Sequence, residues 1–272
     1  RSVLRSLTLC LMQSERDVQR IVALGADAGR VHRTGNIKFD QPMPTMAADA
    51  SLRAELGLRE GESLLLAGST HAGEEEALVA AYRQIVGTHL NTVLMLAPRH
   101  IERVADLVTM IQAAGLPVQR KSRLDSVGSG ARVIILDTRG ELARAYHEAT
   151  VAFVGGTLVP VGGHNLLEPA VWGKPVLFGP YTDHCAEIAA LLLESGGAVR
   201  VSGADDLARR VCAWLEDSMA RRQVGEAARQ TVADNQGALR RTVDLIEACL
   251  PKAQSPSSRS VGAVPQPVIA RP

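Results

Sequence analysis

The feature that most restricts the fold of this chain is an alternation. Short runs of Leu, Val and Ile, each about one strand long, recur between longer amphipathic stretches. The runs are SLLLAGS (63–69), TVLMLAP (92–98), RVIILD (132–137), VAFVGG (151–156), PVLFG (175–179) and AVRV (198–201), and helical segments separate nearly all of them. Short apolar runs alternating with helical patterns predict repeated βα units around a parallel sheet, which places the chain in the α/β class.

The first forty residues hold one such unit. LTLCLMQ (7–13) reads as a buried strand, Ser14 as an N-cap, ERDVQRIVALG as a helix stopped by Gly25, and VHRTGN as the returning strand. DQPMPT (40–45) carries two prolines two residues apart and can continue neither a helix nor a central strand, so a linker is expected there. The organisation expected is a first unit at 1–40, a larger domain at 41–250 and a tail at 251–272. That tail contains five of the thirteen prolines, four serines and no acidic residue, a composition that predicts disorder.

Composition removes several classes of function. With 272 residues and 46% hydrophobic content the chain can bury a proper core. A net charge of +1 and only 3% aromatic residues disfavour nucleic acid as a partner. The cysteines, Cys10, Cys185, Cys212 and Cys249, are far apart with no CxxC pairing, and read as small core residues in a reducing compartment. No apolar stretch reaches the roughly 18 to 20 residues of a spanning helix, and nothing resembles a signal peptide, so a cytoplasmic location is expected. The chain begins with Arg1 rather than Met, which suggests a piece of a longer protein.

In open parallel sheets ligands bind beyond the carboxyl ends of the strands, so the residues that follow each run are the informative ones. They are STH (69–71), PRH (98–100), TRGE (138–141), the glycine-rich stretch VGGTLVPVGGHNLLEP (154–169) and GPYTDH (179–184). Four of the seven histidines, His71, His100, His164 and His184, fall in these segments. The glycine stretch has two readings: a plain loop, or an anion cradle whose backbone N–H groups meet a phosphate near His164 and Asn165. Glu74, Glu75 and Glu76 open a helix and read as surface residues matched to its dipole rather than as a metal site. Arg99, His100, Arg139 and His164 outweigh the carboxylates of the rim, Glu141 and Glu168, which points to an anionic ligand. Glu168, one turn into its helix, suits a ribose hydroxyl or simple dipole compensation. Neither GxxxxGK[ST] nor GxGxxG occurs, so a nucleotide or sugar-phosphate site without those signatures is the reading from residues alone.

TGNIKFD, GSTHAGEEE, LAPRH, DTRGELARAYHEATVAFVGGTLVPVGGHNLLEPA, GKPVLFGP and the following AEIA stand in an order and spacing that resemble the C-terminal half of the 3-deoxy-D-manno-octulosonic acid (Kdo) transferases. The resemblance covers about residues 1–245. It implies a Rossmann-like parallel-sheet domain of a GT-B glycosyltransferase, preceded at 1–40 by the last βα unit of the N-terminal acceptor domain. It further implies CMP-Kdo as donor, the lipid A precursor as acceptor, and a place on the cytoplasmic face of the inner membrane in lipopolysaccharide core assembly, with no cofactor and no metal. Carried over by motif, the donor contacts fall on Pro98, Arg99, Arg139, Gly140, Glu141, Asn165, Leu166, Leu167 and Glu168, with Ser69, His100, Gly163 and His164 as further donor contacts. The family's general base is a glutamate of the N-terminal domain, so no catalytic residue is assigned within these 272. The chain departs from the family at Val161, where a basic or polar residue is common, and at Arg139, where an apolar one is. Two other expectations compete: a non-catalytic CMP-binding module, whether a decayed fragment or a partner for a separate acceptor domain, and a GT-B enzyme that uses a UDP-sugar.

Overall fold

The computed structural model describes residues 2–40, 52–123 and 133–250. Most of the expected linker, Arg132 of the third run and the expected disordered tail lie outside the described residues. The chain divides into two compact units: one takes the described residues of Arg1–Gly35 and Leu239–Pro272, the other those of Asn36–Ala238. These limits divide the chain differently from the sequence-derived boundaries at 40 and 250.

In the first unit a short helix α1 (Ser2–Arg5) precedes strand β1 (Cys10–Met12), which pairs in parallel with β2 (Val31–Arg33), and helix α2 (Glu15–Ala23) connects them. Both strands are shorter than the runs that announced them, and Leu7 is exposed. The expected N-cap is present, because Ser14 Oγ accepts from the Asp17 N–H at 3.2 Å. Gly25 follows the helix with φ 108°, a conformation that an L side chain rarely adopts. Cys10, Ala26 and Val31 form the buried centre, with Val18 and Ile21 packed on it. Nearly all of helix α11 (Ala238–Cys249) falls within this unit, and there Arg241 Nε donates to the Thr34 carbonyl at 2.8 Å.

The larger unit is a seven-stranded, wholly parallel sheet. Its strands are β3 (Ser63–Thr70), β4 (Thr92–Pro98), β5 (Val118–Arg120), β6 (Val133–Ile135), β7 (Val151–Val154), β8 (Val176–Phe178) and β9 (Ala198–Arg200), ordered β5-β6-β4-β3-β7-β8-β9. The six expected strands are all present. The edge strand β5 is additional, and its three half-buried residues VQR carry no apolar run by which to read it. Helices α3 (Leu52–Glu55), α4 (Glu74–Thr88), α5 (Val104–Ala113), α6 (Leu142–Ala145), α7 (Leu167–Val171), α8 (Ala186–Glu194), α9 (Ala204–Glu216) and α10 (Ser218–Asp234) complete it.

Why the strands read as unbroken apolar runs is plain from the two faces. Leu65, Ala67, Leu94, Leu96, Val133 and Ile135 pack under α4, α5 and α9, while Leu64, Leu66, Val93, Met95 and Ile134 pack on the opposite side with Leu52 and Tyr146. Alternate residues of one strand therefore enter different cores, and each fully buried Leu contributes roughly 1.5–3 kcal/mol of transfer free energy. Toward the other edge, Val154, Val176 and Phe178 pack against Leu166, Leu167, Ile188 and Leu192. Of the four free cysteines Cys10 and Cys185 are buried as expected, whereas Cys212 is only half-buried and Cys249 is exposed.

The chain leaves β3 in one direction to β4 and later crosses to the other side of β3 at β7. That reversal opens a crevice at the carboxyl ends of β3 and β7, where open α/β sheets hold their ligands.

Candidate functional site

At the end of β3 the register with β4 slips between Gly68 and Thr70, and Ser69 takes φ 57°, the one positive φ among described residues other than glycine. Such a conformation costs energy in a non-glycine residue and is found disproportionately at functional sites. The Thr70 carbonyl next accepts from the Arg99 N–H at 2.9 Å, which ties the PRH segment to the STH segment.

The following three glutamates correct the sequence reading. Only Glu76 is exposed, where it accepts from the Gly73 N–H at 2.9 Å. Glu74 and Glu75 are buried. Glu75 takes the Thr70 hydroxyl at 3.0 Å and both terminal nitrogens of Arg103, at 3.2 and 3.1 Å. Glu74 takes four backbone N–H groups and no side chain: His71 (3.0 Å) and Gly156 (2.7 Å) on Oε2, Thr157 (2.9 Å) and Leu158 (2.8 Å) on Oε1. A buried carboxylate must have its lone pairs satisfied, and the amides of the glycine stretch do this without a cation. Dipole matching at a helix start is the local signal; only the neighbouring strand end shows that two of the three face inward.

The same bonds take residues 156–158 and 163 out of the cradle and leave its His164–Asn165 end. The N–H groups of Gly156, Thr157 and Leu158 are already engaged by Glu74, and that of Gly163 by the Gly156 carbonyl at 2.8 Å. The glycines have another reason to be there. A Cβ on Gly155 would lie 2.4 Å from the Ser69 carbonyl oxygen, and one on Gly179 would lie 2.1 Å from that of Thr157. Main chain passes against main chain at the crevice, and no side chain fits between.

Three of the four strand-end histidines come together. The Nε2 atoms of His71 and His164 are 2.7 Å apart, their rings are nearly parallel (3°) with centroids 5.0 Å apart, and His100 stands edge-on to His71 at 5.5 Å. Burial, then the positive neighbours His71, Arg99, His184 and His100, push the His164 imidazole down to about 4. Burial likewise lowers His71, against the opposing charge of Glu74. His184 is exposed and touches this group only through its charge.

Beside the histidines, a cavity of about 430 Å³ opens at the ends of β3, β4 and β6. Ser69, Pro98, Arg99, His100, Arg139 and Gly140 line it, with Leu136 and Leu142 as apolar wall. Arg139 is largely exposed and lies 3.8 Å from Glu102. Glu141 is not among the lining residues; it takes the Thr138 hydroxyl and lies 3.5 Å from Lys121, a partner the sequence did not suggest. Behind it, burial works to raise the Asp137 carboxyl. Hydrogen bonds from Ser122 and Arg120 outweigh that and hold it below the usual range.

The remaining expected residues lie at the start of α7. Asn165 Oδ1 accepts from the Leu167 N–H at 3.2 Å, and Asn165 Nδ2 donates to Glu168 at 3.3 Å. The side chains of Leu166 and Leu167 are in the core, so these two residues can offer a ligand only their main chain. Burial raises the Glu168 carboxyl, while the Asn165 bond pulls the other way. Its charge and, above all, burial push the Tyr146 hydroxyl far up, and that hydroxyl packs against Gly68, where a Cβ would meet it at 2.0 Å. Tyr146 was missed as a neighbour of this site because nothing in its segment distinguishes it from another core aromatic. Among the described residues no group of three or more His, Cys, Asp or Glu is arranged to hold a metal ion.

A family model described as 3-deoxy-D-manno-octulosonic-acid transferase (kdotransferase) matches residues 1–41. The 3-deoxy-D-manno-octulosonic acid transferase of Haemophilus influenzae is 34% identical over 89% of this chain and 57% of its own length. That of Bordetella pertussis is 33% identical over 91% and 58%. The chain thus spans a little over half the length of these curated relatives. Among solved structures, the C-terminal CMP-Kdo binding domain of WaaA from Acinetobacter baumannii superposes with a TM-score of 0.63 at 28% identity, covering 68% of this chain and 95% of that one. Anabaena Alr3699/HepE in complex with UDP and glucose, at 16% identity, TM-score 0.59 and coverage of 89% and 62%, shows the GT-B type of fold alone. By these likenesses the chain is similar, over most of its length, to the 3-deoxy-D-manno-octulosonic acid transferases, and its Rossmann-like parallel sheet is of the GT-B glycosyltransferase type.

Proposed function

We propose that this chain is the donor-binding half of a Kdo transferase, which receives CMP-Kdo at the carboxyl edge of the larger sheet. The observation that carries this is the cavity at the β3, β4 and β6 ends. Six residues assigned to the donor by motif, Ser69, Pro98, Arg99, His100, Arg139 and Gly140, line that one space. In this reading the Arg99 guanidinium meets the donor's anionic group, since a charge-assisted bond to phosphate or carboxylate is the strong kind. Glu168 accepts from the cytidine ribose, and the main chain of Asn165 to Leu167 lies along the nucleotide. Gly163 and His164 border the same crevice, and Glu141 acts at its margin.

The complete enzyme transfers Kdo to the lipid A precursor at the cytoplasmic face of the inner membrane, as a peripheral protein. No helix among the described residues is long and apolar enough to cross a membrane. Transfer needs an acceptor hydroxyl and a base to take its proton, both brought to the donor in a closed cleft. The base belongs in this reading to the acceptor domain, and these residues supply donor recognition. Isothermal calorimetry with CMP, UMP and AMP tests the assignment: CMP should bind most tightly. Equal binding of all three, or none, sinks it.

A further inference from the structure

We propose that Glu74 is a positioning residue for the donor site: its carboxylate is a built-in anion that pre-forms the glycine loop, so that the ligand's own anionic group is left to the side chains of the rim. The inference rests on the donor reading above and deepens it. Three successive N–H groups, Gly156, Thr157 and Leu158, converge on one buried carboxylate at 2.7 to 2.9 Å, an arrangement of the kind that elsewhere receives phosphate. Here the anion comes from α4, on the far side of the crevice. Its fourth donor, the His71 N–H at 3.0 Å, is on the β3 side, so a single carboxylate joins the two lips of the crevice.

Two consequences follow for the rim. The joined lips carry His71 and His164, whose Nε2 contact of 2.7 Å depends on their separation, and His100 leans on His71. With its amides spent, the loop cannot neutralise a phosphate through residues 156–158. Arg99 remains for that task, with His100 beside it on the cavity wall and the neutral His71 and His164 rings as hydrogen-bonding groups behind them. Glu74 acts through them and touches no ligand.

Hydrogen exchange on the wild-type 272-residue chain is the first test. The amides of Gly156, Thr157 and Leu158 should be protected without ligand and should change little when CMP is added. Fast exchange in the free protein, or protection that appears only with CMP, overturns the proposal, because the loop would then be waiting for the ligand's anion. The second test is Glu74→Ala, measured well below its melting temperature. CMP affinity should fall at least tenfold, and formate should restore it saturably while formamide does not. Formamide fills the same space without charge, so an equal effect of the two, no effect of either, or an unchanged affinity assigns Glu74 to packing alone and overturns the proposal. Should the alanine variant not fold, Glu74→Gln takes its place: it keeps the size and one oxygen, and the same tenfold loss is expected, an unchanged affinity again overturning the role. A wild-type chain whose amides are protected but which binds no CMP overturns the donor reading, and the positioning role with it, while the loop's hydrogen bonds stand.

Discussion

His71 and His164 share a hydrogen bond between their Nε2 atoms, 2.7 Å apart, across the crevice between β3 and β7. One ring must present N–H and the other a lone pair, so the pair can hold at most one extra proton before the contact becomes N–H against N–H. The two rings belong to segments 93 residues apart in the chain, and their meeting makes the crevice sensitive to pH.

The first prediction takes the sign from that geometry. The His164 imidazole sits at about 4 in the folded chain against 6.5 when free, so the unfolded chain binds more protons between those values. Its contribution to stability is therefore complete above pH 6.5, is lost as the pH falls from 6.5 toward 4, and changes no further below. Proton NMR of the His164 ring should place its midpoint near 4, and His164→Gln should flatten the fall in melting temperature over that window. A midpoint near 6.5 contradicts the buried, mutually repelling arrangement.

Arg99 is exposed at the mouth of the cavity, with its main chain fixed by Thr70. Replacing it by Ala should remove one charge-assisted bond to CMP, worth about 1.5–3 kcal/mol, or roughly a tenfold to hundredfold loss of affinity. Calorimetry measures it. Unchanged affinity in a folded variant excludes the role.

Glu168 should show a trade between stability and binding. Burial raises its carboxyl, so the charged form is disfavoured in the fold and stability falls as the pH rises through that raised value. Glu168→Gln should accordingly raise the melting temperature at neutral pH. The same variant should weaken CMP more than 2′-deoxy-CMP, since the contact proposed is to a ribose hydroxyl. Equal losses for the two nucleotides leave only the helix-start explanation.

Glycines test the close approaches at the crevice. Gly179→Ala would put a Cβ 2.1 Å from the Thr157 carbonyl oxygen, whereas Gly87, in α4, has nothing within 4 Å of such an atom. The first substitution should cost on the order of 3 kcal/mol, a fall of about 6 to 12 °C in melting temperature. The second should gain about 0.5–1 kcal/mol, because Ala is the better helix former. A thermal melt of both variants decides, and a harmless Gly179→Ala means that the two main chains are farther apart.

The α/β class, the sheet strands other than β5 and the positions of the rim segments were legible in the sequence chiefly for one physical reason: central strands buried on both faces are apolar at every position, as in Leu64–Leu65–Leu66. Edge strand β5 was not, since Val118–Gln119–Arg120 is half-buried and carries no apolar run. The Ser14 cap and the Gly25 stop are also local chemistry, set by neighbours within four residues. What the tertiary structure alone decided is which of the polar residues face one another. Glu74, Glu75 and Glu76 are the same residue type at consecutive positions, and nothing in the string separates them. The helix turns each by about 100°. The strand end at Gly156 meets the first, Arg103 meets the second, and water meets the third. In the same way the glycines announced a place of close approach, but only the packing shows that what approaches is the chain's own backbone and one of its own carboxylates. Local propensity is written residue by residue; the pairing of distant polar groups depends on the order of the strands, which brings residue 74 to residue 156 and residue 71 to residue 164.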